Sequence, residues 1–156
     1  IGLTADAYHI TASDPEGTGS RNAMQQALNE ASISLEQVDY INTHGTSTPI
    51  GDVAEVKAIQ DLFGKHAYNI SLTSSKSMMG HLLGGSGAVE AIISLLSMQH
   101  SMVTPTINHE EGDEDPKIDY KLNFTFNQAQ SRDIHYAMSN NFGFGGHNAC
   151  LLFKKL

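Results

Sequence analysis

The sequence has one cysteine, four prolines and no tryptophan among its 156 residues. A single cysteine, Cys150, excludes an internal disulfide and favours a reducing compartment, so we expect a cytoplasmic protein. Basic residues are also scarce: nine Lys and Arg stand against seventeen Asp and Glu, which gives a formal net charge of -8. Nucleic acid is therefore not an expected partner, because phosphate binding needs clustered Lys and Arg.

Long apolar runs are missing as well. The most apolar stretch, residues 82–98, is short for a membrane span and holds Glu90 near its middle. A bilayer would penalise that charge by about 2.5–3.5 kcal/mol, so we expect a helix buried in protein and no membrane partner. The chain begins at Ile1 with neither an initiator Met nor a signal-like segment, which we interpret as the start of a piece of a longer polypeptide.

Hydrophobic periodicity predicts the order α, β, α, β, α, followed by a strand-rich C-terminal part. Helices are predicted over residues 18–31, 53–63 and 80–100. Strands are predicted over residues 38–41, 70–73, 120–126, 136–140 and 149–153. Gly64 is expected to end the second helix, and another backbone is expected to approach closely at Gly80, Gly84 and Gly87. This order predicts a layered α/β sandwich around a mixed sheet.

Two histidines lie in frames of small residues, each shortly before a predicted helix. His44 lies within residues 42–49, and His81 ends residues 74–81. The partial positive charge at a helix start would keep each ring neutral, and a neutral imidazole can donate a hydrogen bond to a developing oxyanion. The alternative is that each histidine only caps a helix or satisfies a buried group. Two such turns in one chain favour the oxyanion hypothesis.

Two further pairs of side chains accompany these histidines. A buried ion pair between Lys76 and Glu90 would fix the loop that holds His81; the alternative is a lysine at the surface. The hydroxyls of Thr46 and Thr48 either face a polar ligand arm or stabilise the turn, and the sequence favours neither.

A third segment, residues 140–148, combines three glycines with two phenylalanines. Its composition predicts a tight turn whose backbone N–H groups face a ligand; the alternative is a glycine-rich hairpin with its aromatic rings in the core. The dinucleotide-binding pattern fails here, and no histidine pair has metal-binding spacing, so neither a cofactor nor a metal is expected. Cys150 lies in an apolar strand and is interpreted as a core residue, not a nucleophile.

Three runs of residues resemble signatures of the β-ketoacyl-acyl carrier protein synthases, most closely the elongating (synthase II) type. They are 43–52, THGTSTPIGD; 75–84, SKSMMGHLLG, continued by 87–90, GAVE; and 141–146, NFGFGG. The resemblance implies a thiolase-like fold of two similar halves, of which residues 1–156 resemble only the C-terminal half. No segment matches the surroundings of the family's nucleophilic cysteine.

The resemblance also implies a reaction, the decarboxylative condensation of malonyl-carrier protein with an acyl thioester. His44 and His81 would hydrogen-bond the malonyl thioester carbonyl and stabilise the enolate. The backbone N–H of Phe144 would form part of the oxyanion hole, and its ring would gate the acyl pocket. The partners implied are acyl carrier protein, through its phosphopantetheine arm, and malonyl and acyl thioesters.

The other implied roles fall on the same three runs. Lys76 and Glu90 would organise the His81 loop. The phosphopantetheine arm and the substrate would contact Thr46, Thr48, Phe142, Gly143 and Gly145.

Without its nucleophile the polypeptide is expected to hold half of an active site. The alternatives are a non-catalytic subunit that resembles a chain-length factor, or an interaction domain. Retention of His44, His81 and Lys76 favours the enzyme, because a scaffold has no chemical need for them. The helix at 80–100 should expose an apolar face if the chain is alone, so self-association or a homodimer is expected.

Overall fold

Eight strands and four α-helices follow one another in the computed structural model, which describes residues 1–156. The strands are β1 (Gly2–Ala5), β2 (Tyr40–Asn42), β3 (Ser71–Thr73), β4 (Met102–Val103), β5 (Asn123–Phe124), β6 (Gln130–Ser131), β7 (Tyr136–Gly143) and β8 (His147–Lys154). The helices are α1 (Thr18–Ala31), α2 (Gly51–Phe63), α3 (Lys76–Met79) and α4 (Ser86–His100).

Six of the strands form one mixed sheet in the order β1-β8-β7-β2-β3-β5. The strands β7, β2, β3 and β5 run parallel, whereas β8 is antiparallel to both of its neighbours. A separate two-stranded sheet pairs β4 with β6. The predicted α/β class with mixed strand directions is confirmed.

Side-chain alternation places helices on both faces of the large sheet. Ile41 and Met138 join the core that α1 and α2 form. Their chain neighbours Tyr40 and Ala137 join a second cluster with Met98 of α4. Because successive residues of a strand face opposite sides, α1 and α2 cover one face and α4 covers the other.

The third predicted helix, over residues 80–100, corresponds to α4 and is shorter than predicted. It begins at Ser86 instead of near Gly80, because Gly80 has φ +77°, Leu83 has φ +51°, and a 3₁₀ turn occupies Leu83–Gly85. The expected close approach at Gly80 and Gly84 is wrong, since a Cβ added there would meet nothing within 4 Å. At Gly87 an added Cβ would lie 3.3 Å from the side-chain amide nitrogen of Asn141. The group near Gly87 is therefore a side chain and not the backbone that was expected.

The faces of α4 are reversed relative to an ordinary surface helix. Its buried residues are Ser86, Glu90, Ser94, Ser97 and Met98. Ile92, Leu95 and Leu96 are 56%, 47% and 47% exposed. The predicted uncovered apolar face is therefore confirmed. None of the helices, α4 included, combines the length and the apolarity that a membrane crossing requires.

The sheet brings the three signature segments to one edge. The strands β2, β3 and β7 run parallel and end at Asn42, Thr73 and Gly143. The carboxyl ends of parallel strands meet at the same edge of a sheet, where α/β proteins form their ligand sites.

Candidate active site

The two histidines meet at this edge. Their ring centroids lie 5.6 Å apart, and the ring planes are nearly perpendicular at 85°. His44 is half-buried, and the ring of Phe142 lies 5.7 Å behind it as an apolar wall. His81 is exposed. Two imidazoles at this separation can direct hydrogen-bond donors at one small group.

His44 is held in its neutral form. Burial, followed by the charge of Lys76 and the proximity of His81, lowers its pKa from 6.5 to about 3. The sequence predicted neutrality for a different reason, a helix start, but α2 begins only at Gly51. Nδ1 of His44 is buried without a hydrogen-bond partner, so an added proton at that nitrogen would lack an acceptor.

The neutral tautomer of His81 follows from its backbone contacts. The Leu83 N–H donates to Nδ1 of His81 at 3.1 Å. An N–H group can only donate, so Nδ1 accepts and has no proton of its own. A neutral His81 ring therefore holds its proton on Nε2, which is free to donate to a ligand.

The ion pair expected between Lys76 and Glu90 is present and buried. The Lys76 ammonium donates to Glu90 Oε1, and the two side chains are 5% and 0% exposed. Asn141 of β7 donates to Glu90 Oε2 at 2.9 Å. Because Lys76 begins α3 and Glu90 lies on α4, the pair fixes both ends of the segment that contains His81.

Glu55 is a site residue that the sequence interpretation missed, since it was treated there as an ordinary polar position of the second helix. Its carboxylate is buried and accepts the N–H groups of His44 and Gly45, each at 2.9 Å, and the amide of Asn140 at 3.1 Å. Burial raises the pKa of Glu55, and these hydrogen bonds oppose that rise. The available signal was its position four residues before the buried Ile59.

The two threonines lie on the loop that follows His44. Their hydroxyl oxygens are 3.4 Å apart, and Thr48 also accepts the N–H of Gly51 at 3.2 Å. The turn-stabilising alternative therefore holds for Thr48. Contact of Thr46 and Thr48 with a ligand arm stays a prediction.

The glycine-rich segment is the hairpin between β7 and β8. Phe142 is buried, whereas Phe144 is 73% exposed and Gly143 is also exposed. Gly145 has φ +80°, which explains the glycine there. Its N–H donates to the Ile10 carbonyl at 2.7 Å, so this one of the segment's N–H groups does not face a ligand. Contact of Gly143 and Gly145 with the substrate stays a prediction.

Neither a nucleophile nor a metal cluster accompanies these groups. Cys150 lies buried in β8, where burial raises the pKa of its thiol to about 12. At neutral pH that thiol is protonated and unreactive. No three His, Cys, Asp or Glu side chains converge as metal ligands would.

Comparison with known proteins gives one consistent result. The chain is 54% identical over 154 residues to the 3-oxoacyl-(acyl-carrier-protein) synthase 2 of Staphylococcus aureus (strain COL), covering 99% of this chain and 36% of that protein. It is 48% identical over 153 residues to the synthase of the same name from Synechocystis sp., covering 98% of this chain and 36% of that protein.

A solved structure agrees with these relatives. It is described as a type II PKS acyl-carrier protein in complex with its ketosynthase bound to the hexaketide, and the matched chain superposes with a TM-score of 0.92 at 32% identity. The match covers 99% of this chain and 38% of that one. The chain thus spans about a third of the length of its relatives. Residues 1–110 match the family described as "Beta-ketoacyl synthase, C-terminal domain", and the chain belongs to this family.

Proposed function

We propose that this chain provides the malonyl-activating half of a β-ketoacyl-acyl carrier protein synthase, which extends an acyl chain by decarboxylative condensation. The observation that supports this most is the pair of imidazoles at the edge of the sheet, whose ring centroids lie 5.6 Å apart and of which His44 is held neutral. The relatives that share 54% and 48% identity are both named 3-oxoacyl-(acyl-carrier-protein) synthase 2.

The histidine pair would act on the malonyl thioester. Nε2 of His81 and Nε2 of His44 donate to the thioester carbonyl oxygen. When carbon dioxide leaves, the electron pair of the broken C–C bond moves into an enolate whose negative oxygen lies between these two donors. A neutral ring suits this role, because it can donate its N–H hydrogen bond to the enolate oxygen without first losing a proton to solvent.

Bond formation requires groups from both halves of the site. The enolate carbon attacks the carbonyl carbon of an acyl thioester whose cysteine lies outside this chain. The C–S bond then breaks, the cysteine leaves as a thiolate, and the carrier of the malonyl group keeps the lengthened product. The Phe144 N–H would donate to the oxygen that becomes negative on the attacked thioester, and its exposed ring would gate the acyl pocket. Gly143 and Gly145 would let this hairpin move.

The proposed partners are acyl carrier protein and the rest of the synthase. Thr46 and Thr48 would contact the phosphopantetheine arm, and the related structure in complex with an acyl-carrier protein supports such a partner. The exposed face of α4 supports burial against other protein, either the remainder of the synthase or a second copy in a homodimer. We place the reaction in the cytoplasm.

A chimera tests the proposal. In it, this chain replaces the matching 154 residues of the S. aureus synthase. We expect the chimera to decarboxylate malonyl-carrier protein and to condense it with an acyl thioester. His44→Ala and His81→Ala should each lower the decarboxylation rate by about 100-fold or more, the usual loss for an oxyanion donor.

The matched control is His100→Ala, which removes an exposed histidine in the last turn of α4. It should leave the rate unchanged. A chimera whose decarboxylation survives His44→Ala and His81→Ala would contradict the mechanism. A folded but inactive chimera would favour a non-catalytic subunit instead.

A further inference from the structure

Ser86 joins the backbone of the His81 turn to the His81 ring. It is fully buried at the first residue of α4. Its hydroxyl oxygen accepts the Leu82 N–H at 2.9 Å and lies 3.0 Å from Nδ1 of His81. The direction of each of these two hydrogen bonds decides what Ser86 does.

The donors and acceptors allow one arrangement. The Leu82 N–H can only donate, so it uses a lone pair of the Ser86 oxygen and leaves the hydroxyl proton free. Nδ1 of His81 has no proton, because the Leu83 N–H donates to it. The Ser86 hydroxyl therefore donates to Nδ1, which receives two donors at once.

We propose that Ser86 is a positioning residue that fixes the His81 ring so that Nε2–H points at the malonyl carbonyl. The inference rests on the proposed function. His81 is exposed, and no contact other than these two donors is found at its ring nitrogens. Rotation of the ring by 180° about the Cβ–Cγ bond would break both hydrogen bonds, so each donor disfavours the unproductive orientation.

A purely structural role would have different consequences. If the hydroxyl served only to satisfy the Leu82 N–H, its loss would destabilise the start of α4 and affect every step of the reaction together. If it positions His81, its loss should affect the step that uses His81 and spare the transfer of the acyl group onto the cysteine. Comparison of the two partial reactions separates the roles.

The experiment uses Ser86→Ala and Ser86→Thr in the chimera. With Ser86→Ala we expect kcat for malonyl decarboxylation to fall about three- to tenfold, as loss of one hydrogen bond predicts. KM should stay within twofold, and the rate of acyl transfer should not change. Ser86→Thr retains the hydroxyl and should restore kcat to within twofold of the parent.

Ser97→Ala is the matched control, since Ser97 is also buried on α4 and makes no hydrogen bond to His81. It should leave both partial reactions unchanged. An active chimera in which Ser86→Ala changes neither rate, or lowers both equally, would overturn the role of Ser86 and leave the proposed function intact. A folded parent chimera without decarboxylation would overturn the proposed function itself.

Discussion

His44 shows how partial burial and a nearby cation together set the protonation state of a histidine. Most histidines titrate near neutrality, yet this ring is half-buried and lies within the field of the Lys76 ammonium. Both effects disfavour the imidazolium. With a pKa of about 3 the ring is neutral at neutral pH, which suits its proposed role as a hydrogen-bond donor to an enolate.

A pH dependence of stability follows from the lowered pKa of His44. The folded ring has a pKa of about 3 and the unfolded ring one near 6.5, so the unfolded chain binds the proton first as the pH falls. Between pH 6.5 and 3 the free energy of unfolding should therefore fall by up to ~1.4 kcal/mol per pH unit from this residue. Urea unfolding of the chimera at pH 7.5, 6 and 5 would measure the slope.

His44→Gln should remove that contribution, because glutamine does not titrate. Its free energy of unfolding should fall less than that of the parent between pH 6.5 and 5. Equal slopes for the parent and the variant would show that the His44 ring titrates normally in the fold.

Glu55 holds the His44 loop through charge as well as shape. Glu55→Gln retains the length of the side chain, but the amide nitrogen cannot accept, so one N–H of His44 or Gly45 loses its partner. Hydrogen bonds to a charged group contribute about 1.5–3 kcal/mol, so we expect decarboxylation to slow by about tenfold or more. Asp61→Asn, which removes an exposed carboxylate of the same helix, should have no such effect.

At the scale of elements, one buried ion pair joins α3 to α4. Lys76→Met would leave Glu90 buried and charged without its counter-ion, at a cost of about 3–5 kcal/mol in the free energy of unfolding. Adding Glu90→Leu should restore most of that stability, since two apolar groups can replace a buried pair. Decarboxylation should stay low in both variants, because the ion pair then no longer fixes the segment that contains His81. Denaturant unfolding and the decarboxylation assay together test this, and a fully active double variant would contradict it.

The sequence predicted the elements whose pattern is local. The helix predicted over about 18–31 spans Thr18–Ala31, and Gly64 ends the second helix as expected, with φ +53°. Gly80, Gly84 and Gly85 are poor helix formers, but the apolar pattern of Leu82 and Leu83 extended the predicted helix over them. Only the structure shows the turn that holds His81. The strand β1 went unpredicted because four residues show no clear period and depend on pairing with β8.

The residues of the candidate site also divide into those that the sequence predicted and those that only the structure revealed. The three signature runs identified the histidine pair, the ion pair and the hairpin, since each run is contiguous in sequence. Helical spacing gave a signal for the burial of Glu55, but its hydrogen bonds join it to a loop ten and eleven residues earlier in the chain. The hydrogen bonds of Ser86 depend on the turn at Leu83–Gly85. No pattern in the sequence reports these partners, so the roles of both residues emerged only from the structure.

For the molecule as a whole, the reversed faces of α4 support the proposed burial of this helix against other protein. Serines and a glutamate pack against the sheet, and isoleucine and leucine face outward. The apolar face of a helix ordinarily packs inward, because burial of apolar surface stabilises the fold by about 25 cal/mol per Å². The exposed face of α4 therefore fits the proposed interface with the rest of a synthase, and the chain spans about a third of its relatives' length.

The double substitution Leu95→Gln and Leu96→Gln should change a different property in the isolated chain and in the chimera. In the isolated chain it should reduce self-association, measured by light scattering over a range of concentrations, because the two leucines are exposed there. In the chimera it should lower the free energy of unfolding by about 2 kcal/mol per leucine, because the same face would be buried against the rest of the synthase.

The control is Ile10→Gln, the same kind of change at an exposed apolar residue away from α4. It should alter neither the self-association of the isolated chain nor the free energy of unfolding of the chimera. An isolated chain that stays monomeric at its highest soluble concentration, or a chimera indifferent to the double substitution, would show that α4 has no partner on this face.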